Sequence, residues 1–106
     1  MEISKADWKL FQDRLRLWQE NYMQRLIEGY IKMLQGPGNA SSKFWQLERK
    51  LKSDRLNPGV SLVLDKQEVI NDIANMVKIG GITIADLEGF SEELINEVKR
   101  LTVLKI

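Results

Sequence analysis

Asp65, Glu68 and Asp72 are spaced for chemistry. They stand three and four residues apart, which places them on one face of a helix. Carboxylate oxygens gathered in this way suit a hard cation such as Mg²⁺ or Ca²⁺. The same residue types also open helices, where they accept free backbone amides and meet the positive end of the dipole. Capping and a solvated face are the preferred reading, and no metal or other cofactor is expected. Asp86, Glu88, Glu92 and Glu93 are read in the same way. Nucleophilic and general-base catalysis usually recruit His, Cys or an activated Ser. The chain holds neither His nor Cys. Gly80-Gly81 follows a helical pattern, whereas a phosphate-cradling loop would follow a strand. No catalytic residue is assigned, and the expected protein is not an enzyme.

A second constellation is basic. Lys43, Arg49, Lys50, Lys52 and Arg55 crowd one short stretch with Trp45 among them. Such cations meet phosphates, and an indole stacks on bases. This is the alternative reading, a nucleic-acid-binding protein. Two observations oppose it. The net charge is only +1, and Phe44 and Trp45 are expected in the core. Residues 70–87 loosely imitate a helix-turn-helix, but the second helix would carry Asp86 and Glu88 toward the phosphates. The charge is uneven along the chain. Residues 1–56 carry 11 basic and 7 acidic side chains, residues 57–106 carry 5 and 8, so the halves attract each other within the fold or present faces of opposite sign.

The elements that position these groups read as all-α. The chain of 106 residues fits one domain. The fold expected is a small helical bundle built on one long N-terminal helix, with four main helices and one short helical turn. The long helix spans about 4–35. Its stripe is Trp8, Phe11, Leu15, Trp18, Tyr22, Leu26, Tyr30 and Met33, at steps of three and four. Ser4 is the N-cap, Asp7 its capping-box partner, and Ile3 with Trp8 a hydrophobic staple. Gly36 in a left-handed C′ conformation and Pro37 end it. From Met23 to Leu34 the apolar arc widens to take in Ile27, Ile31 and Leu34, so this half is expected to be the centre of the core.

The remaining helices are expected at about 42–53, 65–79 and 91–103. Asp65 with Glu68 and Thr83 with Asp86 resemble capping boxes, and Ser91 caps the last helix. Residues 60–64 are an extended linker or a first helical turn. Leu104 to Ile106 are expected to dock as an apolar tail. No basic stretch precedes an apolar run, and no run of about 18 apolar residues occurs. A cytoplasmic protein with no membrane span is expected.

The blocks Met1 to Trp8, Lys43 to Glu48, Pro58 to Val60, Gly81 to Thr83 and Asp86 to Ser91 resemble a family of small uncharacterised all-helical proteins of Gram-positive intestinal bacteria. The likeness spans nearly the whole chain. It implies a fold and gives no residue a chemical role, because these motifs are caps, turns and aromatic anchors.

By elimination the function expected is a non-enzymatic helical interaction or regulatory protein. Its partner would be another protein or, more specifically, a second copy. About 30 helical residues span roughly 45 Å, more than the mid-30s of Å expected for a compact chain whose radius of gyration is about 13 Å, so the helix either bends near Gly29 and the chain stays monomeric or projects one end toward a second subunit. Leu10 and Leu17 lie off the main stripe. With Trp18 they are the residues expected to form a dimer contact along the long helix.

Overall fold

A computed structural model of the chain describes residues 2–103. Ser4 is extended, and its Oγ accepts the amide of Asp7 at 3.1 Å. This satisfies one of the free donors of the first turn. Helix α1 (Lys5–Gln35) then runs for 31 residues without a break. Gly36 follows in an extended conformation at φ −75° rather than the expected left-handed one; the positive φ falls at Gly38 instead. Asn39 accepts the amide of Ser42 at 2.9 Å and starts α2 (Ala40–Asp54), which returns antiparallel to α1.

The rest of the chain is short pieces. Val60 closes the turn after α2, its amide meeting the Asn57 carbonyl at 2.9 Å; residues 61–64 are neither helix nor strand, and no strand occurs among the described residues. Asp65 accepts the amide of Gln67 at 3.0 Å. The turn it opens is a 3₁₀ turn, Lys66–Glu68, ahead of α3 (Val69–Lys78). Helix α3 ends in a Schellman motif. Gly80 takes φ +77°, its amide meets the Val77 carbonyl, and the Gly81 amide reaches the Met76 carbonyl at 2.8 Å. The Thr83 amide donates to the Asp86 carboxylate at 2.8 Å, closing the expected box around a second 3₁₀ turn, Ile84–Leu87. Ser91 caps α4 (Glu92–Thr102) by accepting the Leu94 amide. The fold is the all-α bundle on a long N-terminal helix that the spacing predicts. The expected docking of Leu104 to Ile106 lies outside the described residues.

The core sits on the other half of α1 from the one expected. Phe11, Leu15 and Trp18 are buried against Val69, Ile73 and Met76 of α3, Leu87 and Phe90 of the connecting segment, and Leu94 and Val98 of α4. Phe11 meets Trp18 edge-on with centroids 6.3 Å apart, and Trp18 lies 6.2 Å from Phe90. The reason is length. At 10 and 11 residues, α3 and α4 are each about 15–17 Å long and can cover only half of α1. The wider arc at Ile27, Ile31 and Leu34 stays exposed.

Two expectations about single residues also change. Leu10 does not face outward; it is half-buried against the core, on the side where the Gly89 turn approaches it. Asp7 does not reach back to the backbone of Ser4 in a capping box. It is 3% exposed, and its carboxylate accepts the amide of Ser91 at 2.9 Å and the Ser91 hydroxyl at 2.6 Å. A buried carboxylate needs such donors, and the start of α4 supplies them.

The two halves meet at mid-helix. The Gln19 amide group donates to the Pro58 carbonyl, Asn57 donates to the Tyr22 hydroxyl, and Arg25 donates to the carbonyls of Gly80 and Gly81, all at 3.0–3.1 Å. Gly59 is pressed against the Tyr22 ring, where an added Cβ would lie 2.3 Å from Cδ2. Beyond this seam the molecule is two helices only. The result is an elongated shape, 51 × 32 × 20 Å, with a radius of gyration of 16.3 Å. We call the α3–α4 side the head and the α1–α2 hairpin beyond Tyr22 the arm.

Truncating Trp18 to Ala removes the side chain that joins Phe11 to Phe90. The expected cost is about 3–5 kcal/mol, read as a lowered midpoint in denaturant or thermal unfolding. A melt equal to the parent's would show that the head is not built around this residue.

Candidate functional site

The arm carries the surface that the rest of the fold does not explain. On α1, Met23, Leu26, Tyr30 and Met33 are half-buried, while Ile27, Ile31 and Leu34 are exposed. On α2 no residue is buried at all. Phe44 and Trp45, expected in the core, are 63% and 54% exposed and pack edge-on against each other with centroids 5.0 Å apart. They are exposed because nothing in the head extends far enough to cover α2. Between the two helices runs a groove of about 590 Å³, floored by Met23, Leu26, Ile27, Leu51 and Val60 and edged by Glu48, Lys52 and Arg55.

Two antiparallel helices in contact have two open sides. Ile27 and Leu51 both line the groove, so they mark one of these sides. At about 100° per residue, Ile31 and Leu34 fall beside Ile27, and Phe44 falls beside Leu51. Five exposed apolar side chains therefore share one side of the arm; Trp45, about 120° round α2 from Leu51, faces another way. Besides the apolar contact of half-buried Met23, Leu26 and Met33, one side-chain hydrogen bond joins the two helices. The Tyr30 hydroxyl donates to the Asp54 carboxylate. Loss of water around the phenol, together with this carboxylate, pushes the Tyr30 pKa up to about 12, so the donor proton stays in place through the physiological range.

The residues singled out from the sequence are distributed unevenly. Leu17 is 61% exposed, but Leu10 is half-buried and Trp18 is in the core of the head, so the three do not form one open patch. Of the basic group, Lys43 is half-buried and Arg49, Lys50, Lys52 and Arg55 are exposed. Helical geometry scatters Lys50, Arg55, Lys52 and Arg49 round the whole circumference of α2. Only Trp45, Arg49 and Lys52, at positions i, i+4 and i+7, fall on one side, and Lys52 there pairs with Glu48 at 3.5 Å. Ile27, Ile31, Leu34, Phe44 and Leu51 went unrecognised as a surface. Their exposure depends on the length of the covering helices, which no local pattern displays.

The carboxylate group folds as a cap and one buried acid. Asp65 caps its turn, and Glu68 accepts from Asn71. One oxygen of Asp72 is buried without a hydrogen-bond partner. Burial first, then the charges of Glu68 and Asp65, push the Asp72 pKa up to about 6. Among the described residues no group of His, Cys, Asp and Glu is arranged to hold a metal ion. No described helix is long and apolar enough to cross a membrane. Comparison of the chain with protein-family models, with curated proteins and with solved structures gives no match.

Asp72 makes stability depend on pH. Its pKa is higher in the folded state than the ordinary 3.8, so between about pH 4 and pH 6 the folded chain binds more protons than the unfolded one, and stability falls as pH rises. At pH 7 Asp72→Asn is expected to melt above the parent, and the difference should vanish below about pH 4. A variant that melts below the parent at pH 7 would show that the ionised carboxylate has a partner after all.

Proposed function

We propose that the protein is a non-enzymatic interaction protein, working in the bacterial cytoplasm, and that its working part is the arm. The carrying observation is the row Ile27, Ile31, Leu34, Phe44 and Leu51, exposed on one side of a two-helix hairpin. Folded monomers seldom leave a contiguous apolar patch of more than a few hundred Å² open, and such patches mark sites of association. The head supports this reading by its design. It anchors one end of α1 through Trp18 and Asp7 and holds the other end away from itself. The resemblance to small helical proteins of Gram-positive bacteria belongs to the same reading and adds no site to it.

One observation favours a second reading, nucleic-acid binding. Between Met23 and Arg55 the chain carries seven basic and three acidic side chains, and Trp45 lies between Arg49 and Lys52 on one side of α2. A short single-stranded oligonucleotide would then bind at low salt, lose affinity steeply as salt rises, and fail to bind an Arg49→Gln, Lys52→Gln variant. Absence of binding at low salt retires that reading.

The interaction reading is tested by the stability of the chain at low micromolar concentration. A side chain kept for docking contributes little to the fold, so Ile31→Ser and Phe44→Ser are each expected to leave the unfolding free energy within about 0.5 kcal/mol of the parent, as ordinary surface changes do. A loss of several kcal/mol at either position would make the row structural and remove the basis for an interaction surface.

A further inference from the structure

We infer that the partner seated on the open side of the arm is a second copy of this chain, arm laid across arm as a four-helix bundle. The inference rests on the interaction reading above and names its occupant. The first support is area. Ile27, Ile31, Leu34, Phe44 and Leu51 are 47%, 48%, 38%, 63% and 49% exposed. Taken with typical side-chain surfaces they leave on the order of 500 Å² open, the larger part of the about 800 Å² per partner in a stable interface. The groove edge at Glu48, Lys52 and Arg55 supplies the polar rim that makes up the difference.

The second support is shape. A two-helix layer that is apolar on one side is half of a four-helix bundle. A second identical layer, turned by a two-fold axis, completes it and closes the assembly without leaving a further face. In the antiparallel arrangement the two heads lie at opposite ends. The long axis of 51 Å against a width of 32 Å gives each arm room beyond its own head. The dimer expected from the sequence is thereby kept, and its contact moves from Leu10 and Leu17 to the distal half of α1 and to α2. The positive excess of each arm opposes the pairing. Salt screens such repulsion, so the dimer tightens as salt is raised, the reverse of the response of nucleic-acid binding.

The test combines mass with cross-linking, which the absence of Cys makes clean. The parent is followed by light scattering across a concentration series, beside an Ile31→Glu, Phe44→Glu variant. Single cysteines are placed at Ile27, Ile31 and Leu51, and at Leu17 on the head as a control. The expected result is a rise to twice the 12.3 kDa chain mass, tighter at high salt. The double variant stays single with the head melting as in the parent, and at least one arm cysteine gives a disulfide-linked dimer on mild oxidation while Leu17→Cys does not. The inference is overturned by a single-chain mass up to high micromolar concentration, by a dimer that survives the double variant, or by cross-linking through Leu17→Cys alone. The cysteine panel decides the matter even if the double variant misfolds. A monomeric parent with stability-neutral Ile31→Ser and Phe44→Ser would remove the second copy while leaving the docking surface in place; destabilised serine variants would remove the docking surface itself.

Discussion

A length mismatch governs this molecule. Helix α1 has 31 residues, and the helices that pack on it from the head have 10 and 11. At about 1.5 Å per residue the covering pair reaches one end of α1 and stops near its middle. What remains of α1 must find another neighbour, and within the chain it finds chiefly α2, a helix none of whose own residues is buried. Two helices side by side can cover one another along a single line and leave both flanks open. The exposed apolar row on the arm and the elongated shape are consequences of that one inequality, and so is the placement of the core at the start of α1.

The mismatch is held in place by polar contacts at two levels of α1. At its first turn, Asp7 spans 84 positions of sequence to take both donors of Ser91. The Ser91 hydroxyl in turn accepts the Leu94 amide, so a buried carboxyl group, an N-cap and the joining of two helices are one arrangement. At mid-helix, Gln19, Tyr22 and Arg25 hold the 57–59 turn and the 80–81 turn. Hydrophobic burial alone would allow α3 and α4 to slide along α1, because apolar contact has no direction. The hydrogen bonds set the register and thereby decide where the head ends and the arm begins.

Much of the fold was legible because it is locally encoded. Ser4, Ser91 and the Thr83–Asp86 pair mark helix starts by side-chain chemistry within three residues, and Gly80 marks a stop by its positive φ. The location of the core was not legible. A wide apolar arc at Ile27, Ile31 and Leu34 states that more covering would be favourable; it does not state that the chain supplies it. Leu10 was misplaced for a related reason, since the turn that approaches it at Gly89 is 79 positions away. Asp7 has a plausible capping role three residues from Ser4, and only tertiary structure brings Ser91 within its reach. The candidate surface was half visible. Phe44 and Trp45 stood out as aromatic anchors, but whether an anchor serves the core or the outside depends on what is long enough to cover it.

The division of one unbroken helix into an anchored half and an open half is the central claim, and amide hydrogen exchange along α1 measures it directly. At low micromolar concentration, amides from about Phe11 to Gln19 should exchange only through opening of the whole head, near the global stability. Those from about Leu26 to Leu34 should exchange orders of magnitude faster, with the step at Tyr22 to Arg25. Uniform protection from one end of α1 to the other, in a chain shown to be monomeric at the same concentration, would contradict the account.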